Sequence, residues 1–180
     1  MIAHAVGTYP SECCGAMLGR HEAGGKSVCR AIALQNVHTG PHSTRYAVRP
    51  EDLIEVEKSA RRDGLALIGI YHSHPDHDAY FSEEDLRNSC PWYSFVVLSI
   101  RGGRFHHARS WLPDTDQSKA EPEVLSVPEA GAAPSQRCIE GGSTPAGDQP
   151  AADLPHSGLE TDSPGRPPRP RASRGGSRGS

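Results

Sequence analysis

The residues that read most directly as chemistry are His72-Ser73-His74-Pro75, followed by Ser82 and Asp85. On a strand, residues i and i+2 face the same side, so His72 and His74 aim two imidazoles at one point. Pro75 ends the strand and a loop follows. Ser82-Glu83-Glu84-Asp85 reads as a helix start, with Ser82 as N-cap and acids in the first turn. Asp85 then lies one turn inside a helix, where its carboxylate can return to the same point. Two neutral imidazoles and a carboxylate, with a fourth position open, are the ligands of a catalytic zinc. No Cys-x-x-Cys pair exists in the chain, so a closed structural zinc site is not indicated.

Such a metal lowers the pKa of a water to about 7, and a base must then take its proton. Glu12 is the candidate base, because a charged residue at the mouth of the apolar run 13–18 needs a reason. Ser82 is a candidate donor to an oxyanion forming on a substrate carbonyl. Each residue also has a bland reading. His-x-His is often two polar residues near a surface, Ser82 an N-cap, Asp85 a partner of the helix dipole, and Glu12 a solvated acid. Taken singly these are the commoner cases; together at this spacing they are not. His77 is a rival third ligand, giving a three-histidine set. His106-His107 is expected in a hairpin strand, exposed.

The elements that position these groups are legible from periodicity and turn residues. Strands are expected over 12–20, 28–37, 44–48, 65–74, 93–100 and 104–111, with a last one over 124–127. A helix opens at Pro50, with Leu53, Ile54, Val56 and Ala60 as its apolar side and Gly64 as its stop. Gly102-Gly103 makes a hairpin of the two strands that flank it. The body is therefore mixed α/β.

The chain has 180 residues, which is the size of one domain. All ten aromatics lie between Tyr9 and Trp111, whereas eleven of sixteen prolines follow Trp111. A core can be built only in the first part: a domain is expected over 1–127 and a disordered Pro/Gly/Arg-rich tail over 128–180. Residues 1–112 carry twelve basic and twelve acidic side chains, so the net charge of −3 belongs to the rest. A neutral body argues against nucleic acid or an anionic membrane as partner. The longest apolar run, 65–71, is far short of the ~20 residues of a membrane helix. Five irregularly spaced cysteines make a poor disulfide framework and suit the cytoplasm.

The pattern resembles the JAMM (MPN+) metallopeptidase family, whose signature is a Glu, then His-Ser/Thr-His-Pro, with seven residues between the second His and a Ser, and an Asp three beyond that Ser. It is present here as Glu12, His72-Ser73-His74-Pro75, Ser82 and Asp85. Pro10-Ser11-Glu12-Cys13-Cys14-Gly15 and Leu67-Ile68-Gly69-Ile70-Tyr71 are similar to the segments that flank the motif in that family. The resemblance implies a cytidine-deaminase-like sandwich, with a curved, mainly antiparallel sheet flanked by helices. It implies Zn2+ on His72, His74 and Asp85, Glu12 as general acid/base, and Ser82 steadying the tetrahedral intermediate. Ser73 is expected to be structural. The implied activity is hydrolysis of a peptide or isopeptide bond at the C-terminus of a ubiquitin-like protein, a sulfur carrier in small bacterial members. The alternative is an inactive scaffold of the same fold. Only eleven residues precede Glu12, where the family has a strand and most of a helix, and residues 1–8 read as the end of that helix.

Overall fold

The computed structural model describes residues 1–126. The expected disordered tail over 128–180, and residue 127 at the end of the expected domain, lie outside them. The elements are α1 (Ile2–Thr8), β1 (Cys14–Glu22), β2 (Gly25–Leu34), α2 (Pro50–Arg62), β3 (Ala66–Pro75), α3 (Glu83–Arg87), β4 (Ser94–Arg101), β5 (Arg104–Pro113) and β6 (Ala120–Glu123). The six strands form one sheet in the order β2-β1-β3-β4-β5-β6. All pairs are antiparallel except β3 with β4. A parallel pair needs a crossover, and here the crossover carries α3. The expected α/β class and mainly antiparallel sheet are both found.

The sheet has a helix on each face. Ala5 of α1 packs with Met17, Ile68, Tyr71, Val96, Leu98 and Ile100. Val56 and Ala60 of α2 pack with Ala16, Leu18 and Leu67. Adjacent residues of β1 thus serve opposite cores, as strand alternation requires. In β3 the alternation is broken once. Met17 faces Gly69 and Leu18 faces Leu67, so Ile68 is an extra residue without a partner on β1. This bulge shifts the parity of everything after it. Leu67 faces α2, yet beyond the bulge it is Ile70, His72 and His74 that take the α2 side, while Tyr71 takes the α1 side. Gly69 follows the bulge and opens the parallel pairing with Ser94. A Cβ at Gly69 would lie 2.2 Å from the Ser94 carbonyl oxygen, so only glycine allows this approach.

Three expectations are corrected. Residues 44–48 are not a strand, because the Asn36 side chain takes the bonds that a ladder would have made. Its amide donates to Arg45 O at 3.0 Å and its oxygen accepts Ala47 N–H at 3.1 Å. The last strand lies at Ala120–Glu123 rather than 124–127. Asp114 closes the preceding turn by accepting the N–H groups of Ser118 and Lys119, so pairing with β5 begins at once. Val124 is 98% exposed. Ile54 is 51% exposed rather than part of the apolar side of α2; at 100° per residue it lies a quarter-turn from Leu53. Cys13, Cys14 and Cys90 are free thiols.

Candidate functional site

β3 delivers both histidines to the α2 side of the sheet, where they are buried. The ring nitrogens His72 Nε2 and His74 Nε2 lie 3.2 Å apart. Asp85, in the first turn of α3, brings Oδ1 to 3.3 Å from His72 Nε2 and Oδ2 to 3.8 Å from His74 Nε2. One donor atom from each of the three residues lies within 4.8 Å of the others. The spacing argument and the capping argument thus meet at one point in space.

The surroundings prepare these donors. His74 Nδ1 donates to Asp78 O at 2.8 Å. A carbonyl can only accept, so the lone pair of the neutral ring is on Nε2, facing the cluster. Asp85 is fixed by Ser82, the N-cap of α3. Ser82 Oγ accepts Asp85 N–H at 3.0 Å, while Ser82 N–H and O–H both donate to Asp85 Oδ2, at 2.9 and 2.6 Å. His72 is held by packing instead. Tyr46 stacks on its ring with centroids 4.6 Å apart, and its Nδ1 is buried with no hydrogen-bond partner among the described residues. Burial lowers the pKa of His72, against the pull of Asp85, and keeps the ring neutral. Burial pushes Asp85 the other way, but His72, His74 and Ser82 outweigh it and hold the carboxyl well below its ordinary range. Two imidazoles and an ionised carboxylate, convergent and buried, fit a zinc ion by donor type and number.

Glu12 lies beside this group, only 7% exposed. Its position is set by backbone bonds. Glu12 N–H donates to His42 O, and Glu12 O accepts from Asn36 Nδ2. Next to it, Cys13 N–H donates to Ser73 Oγ at 2.9 Å and Ser73 N–H donates to Cys13 O at 3.1 Å. Ser73 therefore ties the start of β1 to the strand that carries both histidines, the structural part expected of it. Burial pushes the Glu12 carboxyl up to about 7, against the pull of His74 and with a contribution from Asp85 and Glu84. A carboxyl near 7 is poised to accept and return protons at neutral pH.

Glu12, His74, Ser82 and Asp85 all line one cavity of about 510 Å³, walled by Tyr46, Tyr80, Tyr93 and Phe95. His77 reaches the cavity lining but stays out of the donor cluster. Its carbonyl is engaged by Ser99 Oγ at 2.6 Å.

Sequence reasoning missed the loop that follows β3. Asp76 takes a left-handed conformation, φ 58°. Its carboxylate accepts from Tyr9 OH and Gly102 N–H. The next three carbonyls are each gripped: His77 by Ser99, Asp78 by His74 and Ala79 by Trp111 Nε1. Apart from His74, these partners carry no spacing signal, because each comes from a different strand or turn.

The fold agrees with the match to known proteins. The family model of prokaryotic homologs of the JAB domain matches residues 1–113. The chain belongs to this family. Over 102 residues this JAB-family chain is 36% identical to a probable TtuB-protein conjugate cleaving protease of Thermus thermophilus, covering 57% of this chain and 65% of that protein. It is thus matched to a little under two thirds of that relative's length. Over 111 residues it is 32% identical to a desampylase of Haloferax volcanii, covering 61% and 76%. Two solution structures are similar. A protein of Desulfitobacterium hafniense gives a TM-score of 0.63 at 28% identity, over 72% of this chain and 87% of that one. A protein of Salinibacter ruber gives 0.54 at 30%, over 72% and 86%. No helix among the described residues is long and apolar enough to cross a membrane.

Proposed function

We propose that the chain is a zinc-dependent hydrolase that cleaves a peptide or isopeptide bond at the C-terminus of a ubiquitin-like protein, a sulfur carrier in particular. The observation that carries this reading is the convergence of His72, His74 and Asp85 within 4.8 Å, on a cavity that also receives a carboxyl with a pKa of about 7. The names of the two relatives, one for cleaving protein conjugates and one a desampylase, fit the same reaction class.

In this reading His72, His74 and Asp85 hold the ion. Zinc bound there would polarise the scissile carbonyl and lower the pKa of a water to about 7. Glu12 takes a proton from the attacking water and returns it to the leaving nitrogen, which its raised pKa suits in both directions. Ser82 turns its hydroxyl from Asp85 Oδ2 toward the oxyanion; Asp85 Oδ2 keeps the Ser82 N–H as partner. Tyr46, Tyr80 and Phe95 exclude water around these groups. A cavity of about 510 Å³ is of the size that holds a small ligand. It takes the last few residues of a chain end rather than a folded domain.

The experiment is elemental analysis of the purified chain, paired with hydrolysis of a ubiquitin-like carrier bearing a C-terminal extension. The His72–His74–Asp85 group is expected to hold one zinc, and His74→Ala and Asp85→Ala are each expected to lose that equivalent together with turnover. A folded chain that takes up no zinc on reconstitution would sink the reading. A chain that binds zinc and a carrier but cuts no extension would favour an interaction module of the same fold.

A further inference from the structure

Outside the candidate site, Asp78, His106 and His107 are the other group with metal-ligand chemistry among the described residues. One donor atom of each lies within 4.8 Å of the others. His106 and His107 are neighbours on β5, and on a regular strand their side chains would face opposite ways. The strand is not regular here. Ser99 pairs with His107 and Ile100 with Phe105, so His106 is an extra residue without a partner on β4. A bulge of this kind re-aims a side chain. The two rings meet edge to face with centroids 4.9 Å apart, and their Nδ1 atoms are 2.7 Å apart.

Asp78 reaches them from the loop after β3. Its Oδ1 lies 4.0 Å from His107 Nε2, and that nitrogen is buried with no hydrogen-bond partner among the described residues. Arg101 donates to the same Oδ1 at 2.5 Å. An ionised carboxylate has about four lone-pair sites, so it can bind a cation and keep Arg101. Asp78 and His106 are exposed, which leaves an approach open for an ion.

We propose that Asp78, His106 and His107 form a second binding site for a divalent transition metal, distinct from the His72–His74–Asp85 group. Two imidazoles and one carboxylate favour Zn2+, Ni2+ or Cu2+ over Mg2+ or Ca2+. The site has a position that matters: the backbone oxygen of Asp78 is the acceptor that orients His74. Metal bound by the Asp78 carboxylate therefore reaches the loop on which the inner cluster depends.

The test is equilibrium dialysis of the tag-free full chain against micromolar free Zn2+, read by elemental mass spectrometry. The proposal expects two equivalents in the wild type and one in His106→Ala/His107→Ala. It also expects that His72→Ala/Asp85→Ala keeps one. Asp78→Asn, which leaves the backbone acceptor in place, is expected to weaken the outer site about tenfold or more. His106→Gln/His107→Gln serves as the second variant if the alanine pair fails to fold by circular dichroism. Full wild-type stoichiometry in both histidine double variants would overturn the proposal. So would a single equivalent in the wild type that the His106/His107 variants retain. A single equivalent lost only in those variants would support this site while removing the inner one.

Discussion

Ser82 and Asp85 are joined by three hydrogen bonds: hydroxyl to carboxylate at 2.6 Å, amide to carboxylate at 2.9 Å, and Asp85 amide to hydroxyl at 3.0 Å. A motif that reads as a candidate catalytic Ser and a candidate ligand is therefore also a capping box, and the cap sets the direction of the carboxylate. Ser82→Ala removes the cap and two of the three bonds. The expected cost is about 0.5–2 kcal/mol of stability, seen in thermal melts. Zinc affinity is expected to fall about 10–100-fold, read by competition with a chromophoric chelator. An unchanged affinity would mean that something other than Ser82 orients Asp85.

The Glu12→Gln substitution removes the proton acceptor and little else. Turnover is expected to fall about 10²–10⁴-fold, with zinc content unchanged by elemental analysis. Wild-type turnover in this variant would take Glu12 out of the mechanism.

The same substitution separates burial of charge from catalysis in the metal-free chain. The Glu12 pKa is raised by burial to about 7, from an ordinary 4.5. The folded state therefore holds the proton more tightly than the unfolded one. Below the ordinary value Glu12 is neutral in both states and costs nothing. As pH rises through the window between the two values the penalty for its charge grows, and above 7 it is complete. Glu12→Gln lacks that penalty. It is expected to stabilise the metal-free fold by about 1–3 kcal/mol at pH 8 and to leave it unchanged at pH 4. Equal melting shifts at both pH values would contradict the burial argument.

Ser73 sits between the two histidines yet points to the other side of the strand, where it accepts the Cys13 N–H. Both residues are buried. Ser73→Ala leaves that donor unsatisfied, at an expected cost of about 1–3 kcal/mol in urea unfolding. Zinc content is expected to hold. Turnover is expected to drop, since Glu12 is the neighbour of the residue released.

Asn36 makes four bonds with one side chain: to Glu12 O and Arg45 O as donor, and from His38 N–H and Ala47 N–H as acceptor. It fixes the segment that lays Tyr46 on His72. Asn36→Ala is expected to speed amide hydrogen exchange at residues 44–48 while the exchange of β1 and β3 stays slow. Uniform acceleration would point to global destabilisation instead.

Much of the framework was readable in advance, because helices and strands carry their own periods. The helix from Pro50, the strand ending at Pro75 and the hairpin at Gly102-Gly103 are all found. The misplaced parts depend on partners distant in the chain. Residues 44–48 look like a strand until Asn36 takes their backbone groups. Residues 124–127 look like the last strand until the Asp114 turn starts the pairing earlier.

The sequence alone determined which groups can meet. His-x-His on a strand shares a face by the two-residue period, and Asp85 three residues after an N-cap Ser lies in the first turn of a helix. Those are local rules of backbone geometry, and they hold wherever the elements are placed. Only the tertiary structure decided which face the histidines take. The unpaired Ile68 shifts β3 by one residue, so that His72 and His74 look toward α2, Glu12 and the cavity rather than toward α1. A bulge is a mismatch between two strands and has no period of its own, so it becomes visible only when β1 is laid beside β3. The rise of the Glu12 pKa belongs to the same class, since it comes from burial beneath residues brought from β3, α3 and the segment around Tyr46.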